Sequence, residues 1–551
     1  MKVLSAAEMQ VCDHATTERF GIASIDLMRA ASAAVAAFAR EQFPAARRIT
    51  VLCGRGNNGG DGMMAARLLA DGGLDVTTLL IGAPGLLAGD AATAWNELTS
   101  PLHGRVHVVA SAQDLERHGD ALAADLIVDA LLGTGFKPPL KGLPLATLDW
   151  ARSSVAPFLA VDLPSGWPAD ETRASLAAPV FPADAAITFT APKPAHVFGQ
   201  LTRHWDQPIA VAPIGSPEQA ILSAGDLHWA GSSPALVQQA RAAASNKGNF
   251  GHVLAVGGSF GSAGGKSGAP AMVGIAALRS GAGLVTAAVP APALVPVACF
   301  APELMTWPLA ANGEGQIAAK NLEPEAVAAL TAGKTVLAIG PGIGQAPETV
   351  KFLTGLLSAT KMPAVIDADG LNILATKPVL LAKLARGRTL VLTPHPGEMA
   401  RLAGISVAEV QANRLECARS FSQRVGVILV LKGARTLIAH PDGRVAVNTS
   451  GNPGMAKGGS GDLLTGLIAG ILAQHPDHPA QAVEAAVFLH GLAADFAVRD
   501  GDEHTLLATD SLRYLARAFR YSAVPVGKAA PNRYVLLQGR CPHRIGASFE
   551  R

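Results

Sequence analysis

The chain has 551 residues, of which 49% are hydrophobic and 16% are charged, and its formal net charge is +2. This length exceeds what one hydrophobic core holds, since domains usually contain roughly 100–200 residues, and the apolar content excludes a disordered chain. The near balance of basic and acidic residues argues against a nucleic-acid-binding protein whose affinity rests on neutralising phosphates.

The cysteines and the first residues of the chain indicate a cytoplasmic protein. The five cysteines are scattered without CxxC spacing, which argues against disulfides and cysteine-based zinc sites. Glu8, Asp13 and Glu18 interrupt the segment where a signal peptide needs an apolar core. The densest apolar stretch, residues 463–472, is shorter than the ~20 residues that span a bilayer. We therefore expect no membrane partner and no nucleic-acid partner.

Short aliphatic runs, each followed by a Gly- or Asp-rich turn and an alanine-rich stretch, recur along the whole chain. They predict strands at residues 49–53, 76–81, 126–128, 158–161, 186–190, 253–256, 284–289, 336–339, 364–366, 390–392 and 427–431. Uniformly apolar strands that alternate with helices indicate a parallel sheet covered on both faces. We predict an α/β protein with two doubly wound, three-layer domains.

The strand–helix alternation weakens between the two halves and stops near the C-terminus. We place an N-terminal domain at residues 1–215, a linker at 216–240, a second domain at 241–520 and a tail at 521–551. Asp442-Gly443 predicts the type I′ turn of a hairpin within the second domain. The tail mixes Pro, Gly and basic residues, and the sequence assigns it no function.

A glycine-rich segment, GRGNNGGDG at residues 54–62, follows the first predicted strand and precedes a helix. Its backbone amides can approach an anion such as phosphate. Gly54, Gly56 and Gly59 satisfy GxGxxG, but the next strand ends in Leu80-Ile81-Gly82 rather than in the acidic residue of a dinucleotide-binding dehydrogenase. The alternative is a tight turn that only packs the helix on the sheet, which needs neither the paired asparagines nor the aspartate.

Polar residues follow three further predicted strands of this half. Asp129, Asp162 and Lys193 each stand at or just after a strand end. A single aspartate there is usually a cap or a turn former, but ligands of open α/β sheets bind at the carboxyl ends of the strands. The convergence of these groups beside the glycine-rich segment predicts a binding pocket.

Three motifs, GRGNNGGDG, DALLGTG at 129–135 and VDLPSG at 161–166, resemble the NAD(P)H-hydrate epimerase family over about residues 1–215. The resemblance implies that Asp162 acts at the hydrated nicotinamide ring and that Asn58, Asp129 and Ser165 bind potassium. It implies a substrate site formed by Asn57, Asn58, Gly59, Gly60, Asp61, Gly133, Thr134, Gly135, Phe136, Lys137, Pro138 and Pro139, to which we add Lys193. One departure is Arg29, where the family usually carries Glu.

The second half contains GNPGMAKGGSGD at residues 451–462, directly before an apolar helix. The backbone amides of Gly459, Ser460, Gly461 and Asp462 lie at the positive end of that helix and can bind phosphate. Asp462 is either an ordinary helix N-cap or the base of a phosphoryl transfer, and its glycine-rich context favours the base.

Two other segments of this half require a choice between interpretations. Residues 261–267, GSAGGKS, have one residue too few between the glycines for a Walker P-loop, so we reject that interpretation. His395 lacks a partner at metal-ligand spacing, and its place after a strand favours substrate contact. A buried, hydrogen-bonded structural histidine is the alternative.

Seven motifs of the second half resemble the NAD(P)H-hydrate dehydratase family, which has a ribokinase-like fold, over about residues 240–515. They are NKGNFGHVLAVGGS, ALRSGAGLVT, GPGIG, DADGLN, LTPHPGEMARL, LKGA and GNPGMAKGGSGD. The resemblance implies substrate contacts at Ala269, Gly342, His395 and Asp462, and nucleotide contacts at Lys432, Gly433, Ala434, Arg435, Thr436 and Gly461. It also implies ADP as the nucleotide, with Mg²⁺, and release of AMP and phosphate.

These motifs predict an enzyme that repairs hydrated NADH and NADPH, with an epimerase and a dehydratase in one chain. Asp162 and Asp462 are the predicted catalytic residues, and a homo-oligomer is expected from the family. The alternative is a small-molecule kinase of the ribokinase superfamily with a non-catalytic N-terminal binding or scaffold domain. The THPGE and DADGLN segments and the first domain argue against it.

Overall fold

The computed structural model describes residues 1–100, 103–262, 264–521 and 534–539, which form two compact units. The first unit comprises residues 1–227 with the described part of the C-terminal segment, and the second begins at His228. Each unit is built on a largely parallel sheet with helices between successive strands. The predicted α/β class with two parallel-sheet domains is confirmed.

Seven strands of the first unit form a parallel sheet in the order β7-β6-β5-β4-β1-β2-β3. The strands are β1 (Arg48–Cys53), β2 (Asp75–Ile81), β3 (Arg105–Val109), β4 (Leu126–Ala130), β5 (Phe158–Val161), β6 (Ala185–Phe189) and β7 (Ile209–Ala212). The helices are α1 (Ala6–Glu18), α2 (Ser24–Gln42), α3 (Asn57–Asp71), α4 (Gly89–Thr99), α5 (Ala112–Arg117), α6 (Leu143–Ala151) and α7 (Pro194–Phe198).

The alternation of side chains along β1 explains the three layers of this unit. Val51 belongs to the apolar cluster that includes residues of α2, α3 and α4. Its neighbour Leu52 belongs to the cluster that includes residues of α5 and α6. Because successive strand residues point to opposite faces, an unbroken apolar strand buries both faces of the sheet.

The second unit contains a ten-stranded sheet in the order β13-β12-β9-β14-β15-β16-β17-β18-β19-β8, parallel from β13 to β17. Its strands and the short pair β10–β11 are β8 (Leu227–Trp229), β9 (His252–Val256), β10 (Phe260–Gly261), β11 (Gly264–Gly265), β12 (Leu284–Pro290), β13 (Met305–Leu309), β14 (Val336–Ile339), β15 (Ala364–Ile366), β16 (Leu390–Leu392), β17 (Ile428–Leu431), β18 (Leu437–Ala439) and β19 (Val445–Val447). Strands β18 and β19 form the predicted antiparallel hairpin. The predicted type I′ turn is wrong, because that turn needs a positive φ at both Asp442 and Gly443 and only Gly443 has one.

Twelve helices of the described residues surround this sheet. They are α8 (Gly268–Arg279), α9 (Leu294–Ala298), α10 (Pro324–Thr331), α11 (Pro347–Ala359), α12 (Asp369–Ala375), α13 (Pro378–Ala385), α14 (Pro396–Ala403), α15 (Val407–Ala412), α16 (Arg414–Val425), α17 (Ser460–Gln474), α18 (Pro479–Asp500) and α19 (Ala508–Arg520). Helix α17 packs on α8 and on β9, β14 and β15. Gly466 permits the close approach to α8, because a Cβ there would lie 2.2 Å from the Val273 carbonyl oxygen.

The structure adds detail to the predicted linker and tail. Leu227–Trp229, within the predicted linker, is β8 at the edge of the large sheet, and Ala230–Gln238 forms a 3₁₀ helix. In the tail, β20 (Val535–Gln538) pairs antiparallel with β7 and extends the first unit's sheet. Tyr534 packs edge-on against Phe38. The described part of the tail therefore belongs to the first unit.

One helix of the described residues, α18, is long and apolar enough to cross a membrane by length and composition. However, 89% of its most apolar window is buried inside the protein. Such burial is typical of a core helix.

Two candidate active sites

The first candidate site is a cavity of about 690 Å³ at the carboxyl ends of the first unit's strands. Predicted site residues that line it are Asn57, Asn58, Asp61, Gly133, Thr134, Gly135, Phe136, Asp162 and Lys193. The segments that follow β1, β4, β5 and β6, including the first turns of α3, carry these residues, which are distant in sequence. The expected convergence at one sheet edge is present.

Asp162 is the most strongly held carboxylate of this cavity. Its Oδ2 accepts hydrogen bonds from the Thr134 amide at 2.8 Å and the Thr134 hydroxyl at 2.5 Å. Its Oδ1 accepts from Lys193 Nζ at 3.0 Å and from the Thr188 hydroxyl at 2.8 Å. The backbone of Asp162 has φ of 65°, a costly conformation that is found at functional sites when surrounding contacts enforce it.

Electrostatics keep Asp162 ionised. Burial alone would raise the pKa of this carboxyl, but the charge of Lys193 and the hydrogen bonds outweigh burial and hold its pKa well below the ordinary value. His196 Nε2 lies 2.7 Å from the Asp162 carbonyl oxygen and so holds the backbone of this residue. The cavity therefore contains a fixed negative charge beside a buried ammonium group.

Two further carboxyl groups line the same cavity, and their pKa values are raised rather than lowered. Burial raises the pKa of Asp13 to about 6, although Lys193 opposes the shift. Burial, with the nearby charges of Asp162 and Asp13, raises the pKa of Asp61 well above its ordinary value. Carboxyl groups with separated pKa values in one cavity can serve as acid and base. Sequence reasoning missed Asp13, because it lies on α1, far from every motif.

Some residues predicted to bind substrate do not line the cavity. Gly59 and Gly60 are buried, and a Cβ on Gly59 would lie 1.9 Å from the Gly54 carbonyl oxygen, so these glycines let α3 pack closely. Lys137, Pro138 and Pro139 are exposed. The packing interpretation therefore holds for Gly59 and Gly60, whereas Asn57, Asn58 and Asp61 line the cavity.

The predicted potassium ligands Asp129 and Ser165 form one buried group. The Ser165 hydroxyl donates to Asp129 Oδ1 at 2.6 Å, and the Ser165 amide donates to Oδ2 at 2.7 Å. Burial raises the pKa of Asp129 to about 6. Asn58 lies against Gly133, and its side-chain Nδ2 is buried without a hydrogen-bond partner among the described residues.

Arg29, the departure from the family pattern, lies on the surface of α2. Its guanidinium forms ion pairs with Asp26 at 3.2 Å and with Glu97 at 2.9 Å. Its neighbour Met28 lines the cavity, whereas Arg29 does not. The substitution therefore leaves the cavity-lining groups in place.

The second candidate site lies at the N-terminus of α17. Gly459 is the N-cap, with φ of 94°, and Asp462 stands within the first turn, so Asp462 is not the N-cap. No described residue hydrogen-bonds its carboxylate, which leaves both oxygens open to a ligand. Burial and the neighbouring Asp367 raise the pKa of Asp462 to about 6, against the opposing charges of Lys432 and Lys266.

The partly buried Lys432 and the buried Asp367 form an ion pair beside this helix end. Lys432 Nζ lies 2.9 Å from Asp367 Oδ1, and the Thr465 hydroxyl donates to Asp367 Oδ2 at 2.9 Å. A Cβ on Gly461 would lie 3.4 Å from Lys432 Nζ, so the predicted residues Gly461 and Lys432 are brought together. Asp367 was recognised only as part of the DADGLN motif, since its partners lie far away in sequence.

Predicted substrate contacts of this unit also meet. A Cβ on Gly342 would lie 3.4 Å from the Ala269 Cβ and 2.8 Å from the Lys266 Cβ, and Gly342 has φ of 65°. Lys266 Nζ is 3.6 Å from Asp369. Lys266 follows the hairpin β10–β11 rather than a phosphate-wrapping loop, which agrees with the rejection of a P-loop.

The predicted nucleotide-contacting residues 432–436 lie in the loop between β17 and β18. Two arginine side chains hold this loop by hydrogen bonds to backbone carbonyl oxygens. Arg414 Nη1 donates to the Ala434 carbonyl oxygen at 2.5 Å, and Arg435 Nη1 donates to the Thr449 carbonyl oxygen at 3.1 Å. Asp495 accepts from the Gly451 amide and the Asn452 side chain, both at 2.9 Å. Sequence reasoning missed Arg414 and Asp495, because both act through backbone or loop contacts rather than through a motif.

His395 is the N-cap of α14. Its Nδ1 accepts from the Gly397 amide at 3.0 Å, and its Nε2 lies 3.4 Å from Glu398. The side chain is 52% exposed, so the histidine is hydrogen-bonded but not buried. Substrate contact through the exposed ring edge stays a prediction.

Comparison with known proteins assigns both units. Residues 253–517 match the family model described as NAD(P)H-hydrate dehydratase, and residues 24–195 match the model described as YjeF-related protein N-terminus. A bifunctional NAD(P)H-hydrate repair enzyme of Moorella thermoacetica is 40% identical over 533 residues, which cover 94% of this chain and 97% of the relative. The Escherichia coli enzyme of the same name is 38% identical over 511 residues, covering 90% of both chains.

Among solved structures, an ADP/ATP-dependent NAD(P)H-hydrate dehydratase from Bacillus subtilis, co-crystallised with ATP and Mg²⁺, is 31% identical. The match covers 52% of this chain and 96% of that chain, with a TM-score of 0.42. On the extent and identity of the full-length matches, the chain belongs to the family of bifunctional NAD(P)H-hydrate repair enzymes.

Proposed function

We propose that this chain repairs hydrated NADH and NADPH with two successive activities. The first unit interconverts the R and S hydrates at C6 of the nicotinamide ring, and the second unit dehydrates the S hydrate at the expense of ADP. The observation that carries the proposal is the pair of buried acid–base sites, one built around Asp162 and the other around Asp462. Membership of the repair-enzyme family supports it for the whole chain.

Epimerisation requires one group that accepts a proton and one that donates a proton. Ring opening removes a proton from the C6 hydroxyl, whereas loss of water first adds a proton to it and then removes one from the water that returns. Asp162 is ionised and forms an ion pair with Lys193, so it is suited to accept a proton or to orient the C6 hydroxyl. Asp13 and Asp61 have raised pKa values, so they are suited to donate. Both ring opening and reversible loss of water need such a pair, and the site is compatible with either route.

Potassium is the proposed ion of the first unit. The residues present fit this ion. Burial makes the ionised form of Asp129 unfavourable, and a bound cation would offset that cost. One carboxylate together with neutral oxygens suits a large monovalent ion. The amide of Asn58, whose nitrogen lacks a partner among the described residues, can be turned to present its oxygen. Asn58, Asp129 and Ser165 would hold the ion, which would supply positive charge near the substrate's phosphates.

In the second unit, dehydration becomes favourable when the C6 oxygen is converted to a better leaving group. We propose that Asp462 takes the proton of the C6 hydroxyl while the hydroxyl oxygen attacks the β-phosphorus of ADP and AMP departs. The ring-nitrogen lone pair then expels phosphate, and loss of a C5 proton restores the dihydronicotinamide. Amides of Gly459, Ser460 and Gly461, at the positive end of α17, stabilise the transferred phosphoryl group.

Magnesium would accompany the nucleotide and neutralise charge on its phosphates. The carboxylates at this sheet edge, Asp367, Asp369, Glu398 and Asp462, provide oxygen donors of the kind that hydrated Mg²⁺ prefers. ADP rather than ATP rests on the family resemblance. Cytoplasmic location and homo-oligomeric assembly are likewise proposals that follow from the family.

The proposed function is tested by mixing the purified chain with a mixture of both NADH hydrates, Mg²⁺ and ADP, ATP or no nucleotide. We expect the near-ultraviolet absorbance of NADH to return with ADP, together with one AMP and one phosphate per NADH formed. Return of NADH absorbance without any nucleotide would contradict the dehydratase proposal. Failure of the absorbance to return with either ADP or ATP would also contradict it and would favour the kinase alternative.

Asp129→Asn is expected to abolish the stimulation of epimerisation by potassium. The substitution removes the negative charge of the proposed ligand set, so we expect the affinity for K⁺ to fall by at least about 10-fold. The measurement is the epimerisation rate in KCl compared with choline chloride at equal ionic strength. Asp149→Asn, on the exposed surface of α6, is the matched control. Full potassium stimulation in Asp129→Asn would exclude this ligand set.

A further inference from the structure

A buried cluster of His228, His440 and Glu484 in the second unit has no part in the proposed reaction. His228 lies on β8, His440 directly follows β18, and Glu484 lies on α18. Strand β18 runs antiparallel to β17, with Leu431 opposite Leu437 and Leu429 opposite Ala439. His440 therefore lies at the sheet edge where β17 begins, and Lys432 lies at the other edge. The cluster is distinct from the site around Asp462.

The three side chains point their ligand-type atoms at one another. His228 Nε2 lies 2.9 Å from Glu484 Oε1, and His440 Nε2 lies 2.8 Å from the same oxygen. The side chains of Glu484 and His440 are 4% and 2% exposed. The Ser233 hydroxyl donates to the other carboxylate oxygen. All three ligand atoms lie within 4.8 Å of one another.

The charge of Glu484 requires compensation. Its side chain is buried, with one carboxylate oxygen against both histidine nitrogens and the other against the Ser233 hydroxyl. A buried carboxylate is stable only when it is paired or bound to a metal. The compensating charge is either a proton shared with an imidazole or a metal ion bound between the nitrogens and the carboxylate.

We propose that His228, His440 and Glu484 form a zinc-binding site. Two imidazole nitrogens and one carboxylate oxygen are a zinc ligand set, and a water molecule or the Ser233 hydroxyl would complete four-coordination. With zinc–ligand bonds of about 2.0–2.2 Å, tetrahedral ligand atoms lie about 3.3 Å apart. The two nitrogen–oxygen separations of 2.8 and 2.9 Å would open by a few tenths of an ångström, and the two nitrogens, which lie within 4.8 Å of each other, would move closer together.

One directed contact holds the His440 ring. Its Nδ1 is buried and has no hydrogen-bond partner among the described residues, so Nε2, which faces Glu484, makes the one directed interaction of this ring. The ion would join the first strand of the unit, the β18–β19 hairpin and α18, and its role would be to stabilise this side of the unit.

The test is zinc titration of the metal-stripped full-length chain by calorimetry, with Mg²⁺ present. We expect one Zn²⁺ per chain and a raised melting temperature. In His228→Gln and in His440→Gln, we expect the affinity to fall by more than about 100-fold, because loss of an outer-shell partner alone can cost that much. His504→Gln, a highly exposed histidine of the same unit, is the matched control and should bind zinc normally.

Cobalt provides a measurement that does not depend on variants that could fail to fold. Co²⁺ added to the stripped wild-type chain should give the strong visible absorption of a four-coordinate site, and Zn²⁺ should remove it. Absence of stoichiometric Zn²⁺ binding in the wild type would overturn the proposal, and so would binding unchanged in both histidine variants. The cluster would then be a hydrogen-bonded network without a metal.

Discussion

Asp462→Asn is expected to lower the rate of dehydration by about 10²–10⁴-fold, the range for loss of a general base. The carboxylate stands in the first turn of α17 with no hydrogen bond from any described residue, so its function is not to cap the helix. Asparagine preserves its size but cannot accept the hydroxyl proton. The measurement is NADH formation from the purified S hydrate with ADP, at saturating concentrations of both.

Controls separate this effect from a general loss of folding. Asp477→Asn, in the exposed turn after α17, should retain the wild-type rate. The epimerisation rate of Asp462→Asn should also be unchanged, because that activity belongs to the first unit. An Asp462→Asn enzyme with more than half of the wild-type dehydration rate would show that another group removes the proton.

The same residue predicts a pH dependence. Burial and Asp367 raise the pKa of Asp462 to about 6, and only the ionised form is a base. The dehydration rate should therefore rise with pH through about 6 and then reach a plateau. The pH profile of kcat/KM measures it, because that profile reports the free enzyme. A rate that is independent of pH across this range would contradict the assignment.

Lys193→Met is expected to remove epimerase activity and to destabilise the first unit by about 3–5 kcal/mol, the cost of leaving a buried charge without its partner. Lys193 Nζ donates to both Asp162 and Thr188, at 3.0 and 2.7 Å, and its side chain is 3% exposed. Without the ammonium group, burial dominates and the pKa of Asp162 rises. Thermal unfolding by calorimetry measures the loss of stability.

The sign of the pH effect distinguishes this mechanism from a simple packing defect. The pKa of Asp162 lies below its ordinary value in the folded state, so the stabilisation is full above the unfolded pKa of about 3.9 and disappears as pH falls through the folded value. The deficit of Lys193→Met should thus shrink as the pH is lowered toward that range. A deficit that is constant with pH would point to packing alone.

A double variant completes the test of this ion pair. Asp162→Asn with Lys193→Met should be less destabilised than the sum of the two single variants, since it leaves no unpaired charge in the cavity. Additive effects would mean that the two residues do not stabilise each other.

The sequence predicts the central strands well because their burial on both faces makes them uniformly apolar. Phe158–Val161 and Val336–Ile339 agree with the predicted bounds. The edge strand Arg105–Val109 was missed, since its burial is partial and its sequence carries Arg and His. Val535–Gln538 was missed because it pairs with a strand more than 300 residues away, which no local pattern reveals.

The site could be predicted where motifs mark strand ends and could not be predicted where residues act across the fold. Asp162 follows from its place at a strand end, and Asp462 follows from its glycine-rich context before a helix. Asp13, on the first helix, and Asp495, on α18, reach their sites only through packing. A pKa shift or a buried hydrogen bond depends on the three-dimensional neighbours, which the sequence around one residue does not contain.

The most direct test of two successive activities in one chain is repair of the purified R hydrate of NADH as the only substrate, with ADP and Mg²⁺. The proposed function predicts that the wild-type chain converts it completely to NADH, that Asp462→Asn stops at a mixture of R and S hydrates, and that Lys193→Met leaves it unchanged beyond the spontaneous rate. A wild-type chain that dehydrates the S hydrate in a parallel assay but converts the R hydrate no faster than the spontaneous rate would contradict it.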